Sequence, residues 1–155
     1  MELLTVIAII GILSAFALPN IISWLPKYRL GSAARQILSN VEYARLAAIK
    51  ENISIGIGIN IPSDYYVWRD NGQGVGGIAD DATKQTGEES IRAGKMPAGV
   101  DITAAFGGDN RFRFNSAGFS IKINGFPGGG TISCSNAQGD TRDITITNGG
   151  NARID

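Results

Sequence analysis

LLTVIAIIGILSAFALPNIISWLP, residues 3–26, decides how the rest of the chain must be arranged. These are 24 consecutive residues without a charge. A helix needs about 20 apolar residues to cross the hydrocarbon core of a bilayer, so this run is long enough to span one. On the surface of a soluble domain such a rod would drive aggregation. Glu2 stands immediately before it, a carboxylate at the edge of an apolar span. A cleaved secretory signal differs in three ways: a basic start, an apolar core of roughly 7 to 15 residues, and a small-residue site closing that core. Here the start is acidic and the run is longer. The A-x-A match at Ala15-Phe16-Ala17 falls inside it, with uncharged residues continuing to Pro26. The rod is therefore expected to be kept.

Downstream of the rod the pattern changes twice. Over residues 27–52 the apolar positions Leu30, Ala34, Ile37, Val41, Ala44 and Ala48 recur at alternating spacings of four and three. That is one stripe of an amphipathic helix. Arg29, Arg35, Glu42, Arg45 and Lys50 fall mainly off the stripe. One helix from residue 1 to about residue 52 would measure about 75 Å at 1.5 Å per residue. Then ISIGIGINI, residues 53–61, places isoleucine at every second position, the mark of a strand with one buried face. A turn at Pro62-Ser63-Asp64 leads into a second strand over 65–69, and the pair reads as a hairpin. Residues 70–95 are polar and glycine-rich without a period and read as a long surface loop. Short strands follow at 100–104, 111–115, 118–123, 131–135, 142–147 and 152–154, each bounded by turn residues. The expected fold class is α+β. It comprises an apolar half-helix (1–26), an amphipathic half-helix (27–52) and a β-rich head (53–155).

The chain of 155 residues has 14 basic and 14 acidic side chains, a formal net charge of zero. Zero net charge argues against binding nucleic acid or anionic membranes through bulk electrostatics. Most of the 21 glycines lie after residue 55, which suits tight β-turns. Without histidine there is no imidazole base and no imidazole metal ligand. The single cysteine, Cys134, reads as a small buried hydrophobe on a strand face. No enzyme activity, cofactor or metal is expected. The G-x-G-x-x-G match at 72–77 lacks the following helix that a dinucleotide site requires. Asp80, Asp81, Glu88 and Glu89 match no calcium-loop spacing and read as a solvated acidic loop. The sequon Asn52-Ile53-Ser54 is read as chance. Phe16, Trp24, Tyr28 and Tyr43 suit packing and interfacial anchoring better than electron transfer.

MELLTVIAIIGIL at the start, followed by ALPN at 17–20, resembles the N-terminus of a mature type IV pilin or pseudopilin. Glu2, Gly11 and Pro19 match that family's glutamate, glycine and proline in spacing. The resemblance implies that a basic leader and about three residues precede Met1, with an N-methylated terminus after processing. It also implies that Glu2 pairs with the terminal amine of a neighbouring subunit, and that the stretch from Gly11 to Pro19 loses helicity on assembly. YARLAAIKEN at 43–52, FNSAGF at 114–119 and ITITNGGNAR at 144–153 resemble the GspH/FimT group of minor pilins and pseudopilins. The expected protein is a filament subunit that waits in the inner membrane as a single span. Its partners would be identical or related pilins and the assembly machinery. Two alternatives stand beside this reading: a minor tip pseudopilin of type II secretion, and a FimT-like pilin for DNA uptake. In the latter, arginines of a C-terminal Gly-Arg-x-Arg segment contact phosphates. Here Asn151 replaces the first arginine and Arg153 matches the second, with Arg142, Arg111 and Arg113 as further candidates. DNA binding is disfavoured for want of that arginine.

Overall fold

The computed structural model describes residues 2–73 and 78–155, without the side chains of 15–22. Phe16, Pro19 and the last four residues of the G-x-G-x-x-G match lie outside that description.

A single α-helix, α1 (Glu2–Glu51), carries both halves read from the sequence. Glu2 in its first turn and Lys50 in its last complement the helix dipole. Asn52 stops it by taking a left-handed conformation (φ 54°), while the Ile53 N–H bonds back to the Ala48 carbonyl at 3.3 Å. This is a Schellman-type ending. Among the described residues nine strands follow, all paired antiparallel: β1 (Ser54–Asn60), β2 (Asp64–Asp70), β3 (Ser90–Lys95), β4 (Val100–Ala105), β5 (Arg111–Phe114), β6 (Ser120–Lys122), β7 (Gly130–Asn136), β8 (Thr141–Ile146) and β9 (Ala152–Ile154). They form a five-stranded sheet, β3-β2-β1-β5-β6, and a four-stranded sheet, β4-β7-β8-β9. The α+β class holds.

The stripe of α1 is the floor of the core. Leu30, Ala34, Ile37, Val41, Ala44 and Ala48 are buried, together with Ala33 and Ala47. Ile55, Ile57, Ile59, Phe112, Phe114, Ile132, Cys134, Ile144 and Ile146 meet them from the two sheets. Burial raises the Cys134 thiol to about 11, so it is a packing group and not a nucleophile.

Three expectations are corrected. Strand β1 is buried on both faces, not one, because Trp68 and Tyr66 of β2 lie over Gly56 and Gly58. A Cβ on Gly56 would stand 2.2 Å from the Trp68 ring, and one on Gly58 2.3 Å from the Tyr66 ring. Residues 70–95 are not one loop. The segment 90–95 is β3, an edge strand paired with β2, whose mostly exposed side chains leave no alternation to read. Nor is the acidic stretch simply solvated. Glu88 is buried and accepts hydrogen bonds from the Gly72 N–H (3.0 Å) and the Gln85 N–H (2.9 Å). Among the described residues no cluster of His, Cys, Asp or Glu is placed to hold a metal ion.

Candidate assembly surface and the arginine clamp

Over Glu2–Leu13 α1 is not covered by the head. Its large apolar side chains stand in the open on every side, from Leu3 at 74 % exposure to Leu13 at 64 %. Glu2 is exposed at its first turn. Among the described residues no helix is long and apolar enough to cross a membrane; the side chains of residues 15–22, at the centre of the apolar run, lie outside that statement. Gly11 has nothing within 4 Å of where a Cβ would stand. Trp24 and Tyr28, one turn apart, pack as tilted rings with centroids at 5.0 Å near the end of the apolar run.

Arg45 is the residue that sequence reading missed. Its Nε donates to the Gly118 carbonyl at 3.1 Å and its Nη1 to Asn151 Oδ1 at 2.7 Å. One guanidinium thus ties α1 to the 114–119 turn and to the C-terminal segment, which are 73 and 106 residues away. Asn115 organises the turn, its side-chain oxygen accepting from the Ala117 and Phe119 N–H groups. Gly150 is held against the Gly118 carbonyl, where a Cβ would come within 2.0 Å. Beside the clamp lies a groove of about 260 Å³ lined by Glu42, Arg45, Leu46, Gly150, Asn151 and Ala152. The chemistry is structural. The signal that could have found it is the pair of glycine-bearing turns opposite an arginine set off the apolar stripe.

The four arginines considered for phosphate contacts do not share one sheet. Arg142 and Arg153 belong to β8 and β9, and Arg111 and Arg113 to β5. Arg113 is only 11 % exposed and is committed internally, to Ser54 Oγ at 2.8 Å and Asp80 Oδ1 at 3.0 Å. Arg153 projects outward but pairs with Asp155 at 2.8 Å. Thr145 donates to that same carboxylate and, with Arg153, holds it below the usual range. Tyr43 lies under Arg92, whose guanidinium carbon is 3.7 Å from the ring centroid.

Beneath Arg113 lies Asp70, 1 % exposed, accepting from the Ala82 N–H at 2.9 Å. Burial pushes its carboxyl up to about 6, and Glu88 and Asp81 add to the rise, against the pull of the Ala82 N–H and Arg113. Glu51 sits lower than usual because Arg69 hydrogen-bonds it; Arg69 also pairs with Glu89.

No curated protein sequence matches the chain. Solved structures do. The type IV minor pilin FimU of Pseudomonas aeruginosa is 15 % identical at a TM-score of 0.61, over 83 % of this chain and 90 % of that one. The minor pseudopilin EpsH from the type 2 secretion system of Vibrio cholerae is 12 % identical at 0.60, over 81 % and 95 %. Identities this low establish a common fold. The model of the type II transport protein GspH matches residues 33–150, well over half of the chain, including most of the buried stripe, Arg45 and the 114–119 turn. The chain belongs to the GspH family, and it is a pilin-like subunit of a pilus or pseudopilus.

Proposed function

We propose that this chain is held in the bacterial inner membrane by residues 1–26, with its head outside the cytoplasm, and leaves the bilayer to join a filament of identical or related pilins. The observation that carries the reading is the division of α1 into an apolar half that the head leaves uncovered and a half buried beneath two sheets. Water cannot solvate the first half well, so it needs lipid before assembly and neighbouring rods after it. Residues 27–52 hold the head, and residues 53–155 form the outer layer of the filament. In the rod, Glu2 pairs with the terminal amine of the next subunit. A carboxylate left unpaired there costs several kcal/mol, which makes the pairing selective for register. Gly11 and Pro19 mark where helical hydrogen bonds are most easily given up when rods repack. The work is structural, and it calls for no catalytic group or cofactor.

The test is electron microscopy of sheared surface fibres with mass spectrometry of their subunits. A chain that dominates the fibre is a major pilin, and Glu2→Ala abolishes that fibre. A chain present in trace beside another pilin is a minor tip or priming subunit; FimU and EpsH are named as a minor pilin and a minor pseudopilin. Absence from every fibre, with full retention in the membrane, overturns the reading. DNA uptake is not favoured: Asn151 is engaged by Arg45, Arg113 is bonded to Ser54 and Asp80, and Arg153 is already paired.

A further inference from the structure

A cavity of about 290 Å³ opens where the rod enters the head, lined by Lys27 and Leu30 of α1 and by Asp140, Thr141 and Arg142. Its height along α1 is set by the sequence. Lys27 and Leu30 stand roughly 1.5 and 6 Å past Pro26, the last residue of the apolar run, at 1.5 Å per residue. A bilayer adds headgroup layers of about 5 to 7 Å on each side of its hydrocarbon core. The cavity therefore falls at headgroup height if the run fills the bilayer, level with the Trp24–Tyr28 pair and reaching just past it, which suits the membrane interface.

The wall is built, not incidental. Arg142 shares strand parity with Ile144 and Ile146, so the register that buries those isoleucines turns Arg142 toward the helix side of the sheet. The turn before it is fixed by Asn136, whose side-chain oxygen accepts from the Gln138 N–H (3.1 Å) and the Asp140 N–H (2.9 Å). Asn136 also donates to Asp140 Oδ2 at 3.0 Å, which occupies one oxygen of the only carboxylate in the wall. Neither Lys27 nor Arg142 forms an ion pair among the described residues. Two cations without an ion pair, a hydroxyl and one engaged carboxylate leave a site with net positive charge.

We propose that this cavity binds the phosphate of one anionic membrane lipid while the rod lies in the bilayer, with the lipid's acyl chains against the apolar half of α1. The proposal rests on the membrane-anchored reading above. A bound lipid would fix the height and tilt of the head before assembly, and it must be left behind when the rod is extracted.

The test uses the full chain in vesicles and in detergent, comparing phosphatidylglycerol with phosphatidylcholine by flotation and by native mass spectrometry of retained lipid. Phosphatidylglycerol should be retained preferentially. Lys27→Gln and Arg142→Gln should each reduce that preference about fivefold, the effect of one basic side chain at a membrane surface. Arg29→Gln, at the same height but outside the cavity and bonded to the Ala98 carbonyl at 3.3 Å, should leave it unchanged. Equal losses for all three variants would mean diffuse charge and overturn the site. Displacement of the lipid by millimolar inorganic phosphate would mean a small-anion site and overturn the lipid. A chain that floats with neither vesicle type fails the membrane-anchored reading itself. A chain that floats equally with both, and retains both lipids equally, fails only this proposal.

Discussion

The two halves of α1 both present apolar side chains, yet they behave as different materials. From Leu3 to Leu13 the side chains are mostly large and exposed, and they point in every direction. From Leu30 to Ala48 the buried positions are mostly alanine, with Leu30, Ile37 and Val41 between them. Alanines allow two sheets to approach the helix closely, and the three larger residues fill what remains. A single stripe of this kind commits the helix to one partner, its own head. Apolar surface all round commits it to none, and suits it to a crowd of lipids or neighbouring rods. The comparison teaches that size and direction of the side chains, more than hydrophobicity, separate the part that folds the subunit from the part that joins subunits.

The largest expected effect tests this directly with one substitution in each half. Ile37→Ala removes a side chain only 2 % exposed and should lower head stability by about 2 to 5 kcal/mol. Ile12→Ala should leave the head within about 0.5 kcal/mol, while weakening membrane retention or fibre yield. Denaturant unfolding of the full chain in mild detergent, followed by near-UV circular dichroism, reads the first. Equal losses at the two positions would break the comparison.

The second contrast is electrostatic, because the head buries a carboxylate. Asp70 is raised from 3.8 to about 6 in the folded chain. The folded state therefore holds its proton more tightly than the unfolded state does. This contribution is fully present below about pH 4 and is lost as pH rises through 6, up to about 3 kcal/mol in all. Lowering the pH from 7 toward 4 should stabilise the head, and Asp70→Asn should flatten that rise. Glu51, held low by Arg69, works in the opposite sense, and its contribution fades only at more acid pH. A wild-type head that is already flat between pH 7 and 4 would remove Asp70 as the cause.

How much of this was legible depends on the range over which each feature is encoded. The α1 stripe, β1 and β2 repeat locally at helical or strand period, and they could be read to within a residue or two. The double burial of β1 could not, since its cover comes from aromatic rings on the neighbouring strand. β3 was hidden because an edge strand with exposed side chains has no face to alternate. The burial of Glu88 depends on backbone N–H groups reached only after the chain folds back. The place of Glu2 in the first turn of α1 was legible from its position before an apolar run. Arg45 was not, because its two acceptors lie far along the chain.

A third pair applies one glycine substitution to each region. Gly56→Ala drives a methyl into the buried Trp68 ring and should cost about 1 to 3 kcal/mol by thermal unfolding. Gly11→Ala meets open space and should strengthen the helix, by up to about 1 kcal/mol in intrinsic propensity. If α1 must give up helical bonds there to assemble, that added stability should reduce fibre yield. An unchanged yield would show that the rod enters the filament without loosening at Gly11.

The smallest expected effect concerns the clamp that joins the stripe-bearing half of α1 to the end of the chain. Arg45→Ala removes two hydrogen bonds, one to a backbone carbonyl and one to a solvent-exposed amide. Water can replace much of the second, so the global loss should be only about 1 to 2 kcal/mol. The local loss should be sharper: amide exchange should rise in residues 115–119 and 148–152 before the rest of the head. Arg45→Lys should not restore protection, because a single ammonium lacks the fork that reaches Gly118 and Asn151 together. Full rescue by lysine would mean that a charge, not a two-pronged tie, is what the turn and the C-terminal segment require. The clamp would then belong to the surface of the head rather than to its architecture.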